Sequence, residues 1–222
     1  LKKEKNKPMK IQWYGHACFR LTSRGSATVV TDPYDHEVVG YEPLDLRADI
    51  VSISQDVPAY NHVSAVKRKK RIVKGPGEYE IGGVFITAIR TNGETKRKKD
   101  EPYNTLYVFD YDGITIAHLG NIHRVPSQSQ IEALGAVDVA LVPVGGGDGL
   151  SAAKASEVIS LLEPGIVVPM HYRTPDAKLK LDPLSKFLKE MGLGQVEAVE
   201  ELDFSASSIP TETEVVVLDY QS

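Results

Sequence analysis

The chain has 222 residues, of which 41% are hydrophobic and 25% charged, with a formal net charge of −4. That length supports a sizeable core, and the composition is that of an ordinary globular protein. The mildly acidic balance gives no general pull toward nucleic acid, and no apolar run reaches the roughly 18 residues needed to span a bilayer.

Residues 1–8 are charged and lack an apolar stretch of signal-peptide type, so they read as a disordered leader or tag remnant. Residues 9–222 read as one domain, since no stretch rich in Pro, Gly or Ser divides them. Short β-like runs follow at Ile11–Tyr14, Ala17–Thr22 and Ala27–Thr31, separated by Gly15 and the turn at 23–26, which suggests a meander. Cys18 alternates within the second run and reads as a small buried hydrophobe rather than a nucleophile. A single cysteine permits no internal disulfide, which fits a reducing cytoplasm.

Ile50–Ile53 is a short apolar run of buried-strand type, and a brief helix is expected over His62–Lys69. Gly82-Gly83 marks a hairpin whose second strand is Val84–Ile89. Thr91–Tyr103 is polar, basic and without periodicity, as exposed loops are. Asp112-Gly113 marks a second hairpin. Helices are expected over Ser127–Leu134, from a Ser151 cap to Leu162, and over Pro183–Met191. Between them, Val137–Val144 and Gly165–Met170 read as buried strands. Val196–Phe204 and Glu214–Tyr220 close the chain. Strands that outnumber helices, interleaved with them, predict packed sheets with helices outside.

Three histidines stand at strand ends, where loops and active sites gather: His16 after the first strand, His118 in Thr115-Ile-Ala-His118, and His171 in Val167-Val-Pro-Met-His171. A lone histidine there is ordinarily structural; three at similar ends suggest a shared site. His36, His62 and His123 read as surface or flanking residues. Asp32, before Pro33, and Asp56 are the carboxylates expected near a cleft, with turn hydrogen bonding as their plainer role. Gly145-Gly-Gly-Asp-Gly149 lacks the spacing and Lys-Ser/Thr of a P-loop and reads as a strand-to-helix turn. The basic runs 67–71 and 96–99 carry no interleaved aromatics, so a nucleic-acid partner is not expected.

Taken in order, Trp13-Tyr-Gly-His-Ala-Cys-Phe19, Thr31-Asp-Pro-Tyr34, Gly75-Pro-Gly-Glu-Tyr-Glu-Ile81, Ala117-His-Leu-Gly120 and Ile166-Val-Val-Pro-Met-His-Tyr172 resemble the metallo-β-lactamase-fold hydrolases from about Met9 to Leu193. The resemblance implies an α/β fold: an αββα sandwich of two mixed sheets with helices on the outer faces and an active site along one edge. It also implies two metal ions, usually zinc, that activate water and polarise the scissile bond.

The ligand positions implied by that resemblance are largely substituted here. Where the family carries His-x-His-x-Asp-His, this chain has Gln55, Val57, Ala59 and Tyr60, and Asn121 stands in place of the bridging aspartate. Val57 and Ala59 have no donor atom, and the amides of Gln55 and Asn121 are weak zinc ligands. Tyr60 would have to ionise from a pKa near 10. His118 and His171 remain, with His16 as a further position near the metal. Sliding the motif to reach His62 needs a two-residue insertion and recovers no earlier histidine.

Two readings follow. One is a degenerate member with lost or altered hydrolysis that acts as a binding or scaffold protein. The other is a hydrolase with a single metal on His16, His118 and His171. Catalytic candidates are Asp32, Asp56 and Asn121. The cofactor expected is one zinc or other divalent ion, or none, and the partner a small molecule or another protein. Substrate and oligomeric state leave no mark in the sequence.

Overall fold

The computed structural model describes residues 7–91 and 102–221. The basic run at 96–99 and most of the expected leader at 1–8 lie outside them. The first strands are β1 (Met9–Trp13), β2 (Phe19–Ser23) and β3 (Val29–Thr31), then a four-residue helix α1 (His36–Val39), β4 (Leu46–Arg47) and β5 (Ile50–Ile53). A 3-10 turn at Val63–Ala65 leads into β6 (Val66–Lys67), β7 (Arg71–Lys74), β8 (Gly77–Ile81) and β9 (Val84–Arg90). The expected loop over 91–103 falls mostly outside the described residues; beyond it come β10 (Thr105–Asp110), β11 (Thr115–His118), α2 (Gln128–Leu134), β12 (Val139–Pro143), α3 (Ala152–Leu162), β13 (Ile166–Met170) and α4 (Leu184–Glu190). The chain closes with β14 (Ala198–Val199), β15 (Leu202–Phe204), β16 (Glu214–Val215) and β17 (Val217–Leu218).

Two mixed sheets carry the architecture. One has strand order β15-β1-β2-β3-β5-β7, the other β16-β13-β12-β11-β10-β9-β8, with two small pairs, β4-β6 and β14-β17, beside them. The expected meander is present as antiparallel β1–β2–β3, and both hairpins form, β8–β9 across Gly82-Gly83 and β10–β11 across Asp112-Gly113. The closing strands are shorter than expected. Each is split in two, since Glu200-Glu201 and Val216 interrupt the pairing. The helix expected over 62–69 is only the 3-10 turn, because Val66 and Lys67 pair with Leu46 and Arg47 instead.

Period-two burial explains the layering. In the first sheet Val29 and Ile50 face a core shared with Ile86, Phe109, Ile116 and Leu141 of the second sheet. Their neighbours Val30 and Val51 face the other way, into a smaller core with Tyr34, Val39, Tyr41 and Leu46. Thus α1 and the ordered segment 34–48 cover one outer face. On the other, α3 packs Ala155, Val158 and Ile159 into the main core and contacts β12 and α4. Ser151 caps α3 by accepting from the Lys154 amide, and Ser127 with Gln130 forms a capping box on α2, which satisfies amides that would otherwise be orphaned. The fold is the α/β sandwich expected, with one outer layer reduced to a single helical turn and ordered loop.

Candidate functional site

Loops at the carboxyl ends of β1, β5, β11, β12 and β13 converge on a cleft of about 970 Å³. Strand ends of parallel segments are where such folds place ligands, because the loops there are free of the ladder. The structure brings His16, Gln55, Val57, Ala59, Tyr60, Asn121 and His171 together in its lining. Two backbone features hold the two histidines in place. The His171 amide donates to the His16 carbonyl at 3.1 Å, tying the end of β13 to the end of β1. Both residues also have left-handed backbone, with φ of 52° and 51°, a conformation uncommon outside glycine and often found at functional sites.

The three rings form one cluster. His16 lies 4.6 Å from the Tyr60 ring and 4.7 Å from the His171 ring, centroid to centroid. Tyr60 Oη is 3.3 Å from His171 Nε2. Burial holds the Tyr60 phenol well above its ordinary range, so the hydroxyl keeps its proton; which of the two atoms donates follows from the His171 tautomer. Burial likewise depresses both histidines, His16 well below its usual range with help from its neighbours His171 and His118, and His171 down to about 4. Both rings are therefore neutral at pH 7.

His118 is placed differently from the expectation of a ligand. Its Nε2 donates to the Ala17 carbonyl at 2.9 Å, and its Nδ1 accepts from the Gly120 amide at 3.2 Å. Both nitrogens are thus committed to backbone, and the ring joins β11 to the β1–β2 turn as a structural tie. Burial lowers its pKa to about 4, partly opposed by the bond to the Ala17 carbonyl.

The two aspartates also depart from expectation. Asp32 is fully buried beneath Ser54, accepting from its amide and its hydroxyl, each at 2.6 Å, and it does not line the cleft. Desolvation pushes its carboxyl up to about 8, against the two Ser54 bonds. Asp56 is exposed, bonded to Lys74 at 2.7 Å and to Asn61 at 2.9 Å. Of the three catalytic candidates only Asn121 reaches the cleft, with its amide donating to Asn104 Oδ1 at 2.9 Å.

His123, read from sequence as a surface or flanking residue, lines the cleft and is half-buried. His36 and His62 lie away from it, near Asp35. The glycine loop is a turn: the amides of Gly145, Gly146 and Gly149 go to backbone carbonyls of His171, Leu150 and Gly146. In the basic run, Lys67 pairs with Asp45 and Lys70 with Asp49. Sequence reasoning missed Arg124, Asp148 and Lys180, which line the cleft on exposed loops; no periodicity or motif marks loop residues of this kind.

A model of the beta-lactamase superfamily domain matches residues 10–171. The chain belongs to this superfamily. Among its relatives, a UPF0173 protein of Pyrococcus abyssi is 30% identical over 186 residues, 75% of this chain and 84% of the relative. A UPF0173 metal-dependent hydrolase of Thermoplasma acidophilum is 29% identical over 200 residues, covering 79% and 88%. Among solved structures, a protein of Thermotoga maritima, assigned as a Zn-dependent hydrolase of the metallo-beta-lactamase superfamily, superposes with a TM-score of 0.78. It is 36% identical, with 96% of this chain and 100% of that one covered.

Superfamily membership makes a divalent metal the natural question for this cleft. Among the described residues no group of three or more His, Cys, Asp or Glu side chains is placed to hold one. The donors lining the cleft are the imidazoles of His16, His123 and His171, the Asp148 carboxylate, a Tyr60 phenol that keeps its proton, and the side-chain amides of Gln55 and Asn121. The lining carboxylate, Asp148, is exposed and among the described residues joins no such group, so the set does not fit a pair of dications, which needs negative charge between the ions.

Proposed function

We propose that this chain is a metallo-β-lactamase-superfamily protein whose cleft binds a small molecule without paired metal ions, the family's metal-dependent hydrolysis being lost or altered. The observation that carries the reading is the Tyr60 side chain. Its ring lies 4.6 Å from the His16 ring at a 45° tilt and its hydroxyl engages His171 Nε2, so a phenol takes up one His171 nitrogen and fills the space beside His16. Metal analysis after dialysis tests this, and fewer than two metal ions per chain are expected. Two stoichiometric zinc ions would refute it.

A second reading is a hydrolase with a single metal, consistent with relatives named metal-dependent hydrolases. In its favour, both ring nitrogens of His16 and Nδ1 of His171 lack hydrogen-bond partners among the described residues. Against it, His118, the third ligand it needs, would have to surrender two backbone hydrogen bonds. One tightly held zinc together with zinc- or manganese-dependent turnover would favour this second reading over the first.

A further inference from the structure

Each large sheet ends in an exposed strand on the same side of the sandwich. β7 is last in one sheet and β8 last in the other, and only Gly75-Pro76 joins them. An edge strand leaves a row of backbone N–H and C=O groups unpaired, a ready template for another strand. The two edges run in opposite directions. β7 starts beside Ile50, whose amide donates to the Thr28 carbonyl, and β8 leads into Gly82, whose carbonyl accepts from the Ala27 amide.

Their charges are opposite as well. Arg71 and Lys74 stand exposed on β7, Glu78 and Glu80 on β8. Among the described residues the two glutamates make no ion pair. Arg71 donates to the Lys70 carbonyl and meets no carboxylate there, while Lys74 reaches Asp56 in an exposed pair of a kind that holds weakly. Charged edges commonly block association, and here they block like edges. β7 on β7 would set cation against cation, and β8 on β8 carboxylate against carboxylate. β7 on β8 meets no such repulsion, and opposite charges across strands attract.

The apolar residues match the same pairing. Val73 faces the main core and Tyr79 packs against it, so aligning these two in antiparallel strands keeps inner face with inner face. Lys74 then stands opposite Glu78 of a second copy, and Ile72 opposite Glu80 of that copy. Beside Glu80, as its cross-strand neighbour on β9, lies Phe85. Ile72 and Phe85 are 50% and 55% exposed, and the pairing draws both toward cover. A two-fold axis along the strands brings each copy's β7 to the other's β8, so both edges are satisfied at once and the assembly closes at two.

We infer that this side of the sandwich is a dimer interface between copies of the chain, with β7 paired to β8 twice. Each six-stranded sheet then continues into the seven-stranded sheet of the other copy. None of these residues lines the cleft, so the inference stands apart from the reading of the cleft.

The test is sedimentation equilibrium of the full chain over a range of micromolar concentrations, at low and high salt. A dimer mass is expected at low salt, with self-association weakened roughly tenfold or more in high salt because the cross-edge charges are exposed. The Glu78→Lys/Glu80→Lys and Arg71→Glu/Lys74→Glu variants, altered only at exposed positions, should each weaken it roughly tenfold or more. An equimolar mixture of the two should restore the dimer, since each then meets edges of opposite sign. Hydrogen exchange of the unaltered chain should slow across 71–81 as concentration rises through the transition.

A monomer at every concentration would overturn the inference. A dimer that either variant leaves intact would overturn the pairing of β7 with β8, as would a mixture that restores nothing while both variants melt as the parent does. Where a variant fails to fold, exchange in the unaltered chain still decides. Protection that rises elsewhere but not over 71–81 would refute this interface.

Discussion

Replacing Asp32 with asparagine should change how stability depends on pH, in a direction the structure specifies. The carboxyl is buried under Ser54 and its pKa rises from 3.8 to about 8, because loss of solvation outweighs the two hydrogen bonds it accepts. A raised folded-state pKa in an acid means that across the window from 3.8 to about 8 the unfolded chain ionises while the folded one does not. This group's contribution is therefore full below the lower pKa, declines as pH rises through the window, and levels off above the upper one.

One pKa unit corresponds to about 1.4 kcal/mol, so the whole window amounts to something on the order of 5 kcal/mol. The Asp32→Asn variant has no such titration. Its amide side chain keeps one acceptor for the Ser54 backbone N–H, and its NH2 can donate to the Ser54 hydroxyl. Asparagine also tolerates the left-handed backbone at this position, where φ is 40°. The buried histidines run the opposite way. Their lowered pKa values remove stability as pH falls from 6.5 toward about 4; His171 is common to both proteins and cancels in the difference, whereas His118 Nε2 lies 3.8 Å from Asp32 Oδ2, so the rise above pH 6.5, where both rings are neutral, is the part that reads Asp32 alone. Urea unfolding at half-unit steps from about pH 4.5 to about pH 8.5 measures that difference. The variant should gain on the parent steadily with rising pH, up to several kcal/mol. A difference that stays constant across the range would mean that Asp32 is ionised throughout and that the Ser54 bonds prevail over desolvation.

Further expectations test other parts of the structure. At Gly120, φ is +57° and a Cβ would lie 2.5 Å from Asn104 Oδ1 and 2.6 Å from Ser54 Cβ, so Gly120→Ala should cost roughly 2 kcal/mol or more, read as a lower melting temperature. Tyr60→Phe removes only the hydroxyl that engages His171 and should cost about 1 kcal/mol by urea unfolding; a cost above roughly 3 kcal/mol would place the hydroxyl in a larger network than the structure shows. Ile159, buried on α3 in the main core, should cost about 2–5 kcal/mol when cut to Ala. The combined Gln55→His, Val57→His, Ala59→Asp, Tyr60→His and Asn121→Asp variant should bind two zinc ions and melt higher in zinc than in chelator, since a hundredfold excess of ligand over Kd adds about 2.7 kcal/mol. Identical melting in both would show that these positions, though they line one cleft, lack the geometry of a dinuclear centre.

The sheets were legible because their signals are local. Alternation in β1 and β2, continuous apolar runs in β12 and β13 and the two glycine hairpins each leave a pattern readable within a few residues. The helix that the sequence suggested over 62–69 failed for a non-local reason: Val66 and Lys67 find partners in Leu46 and Arg47, some twenty residues earlier, and tertiary pairing overrides local propensity. Conversely α1, four residues long, is too short to show helical periodicity at all. Asp32 and Asp56 were misplaced because a residue's distance from a cleft depends on side-chain direction, which a turn motif such as Thr-Asp-Pro does not encode.

The contrast between His118 and His171 carries the same lesson to the site. His118 is the last residue of β11 and His171 directly follows β13, both apolar strands of the second sheet, and as sequence they look alike. Their environments differ in what the backbone offers. The turn after β1 brings the Ala17 carbonyl to His118 Nε2, whereas His16 brings its carbonyl to the His171 amide and leaves the His171 ring to meet Tyr60. One imidazole is consumed as a tie between sheets and the other is left with an unpaired nitrogen in the cleft, among the described residues. Loss of metal ligands on such a scaffold need not collapse it. The cores beneath are apolar and extensive, and the inter-sheet bonds from His118 and from the His16–His171 backbone involve no metal. The fold that shapes the cleft is therefore held by contacts that do not depend on what the cleft binds.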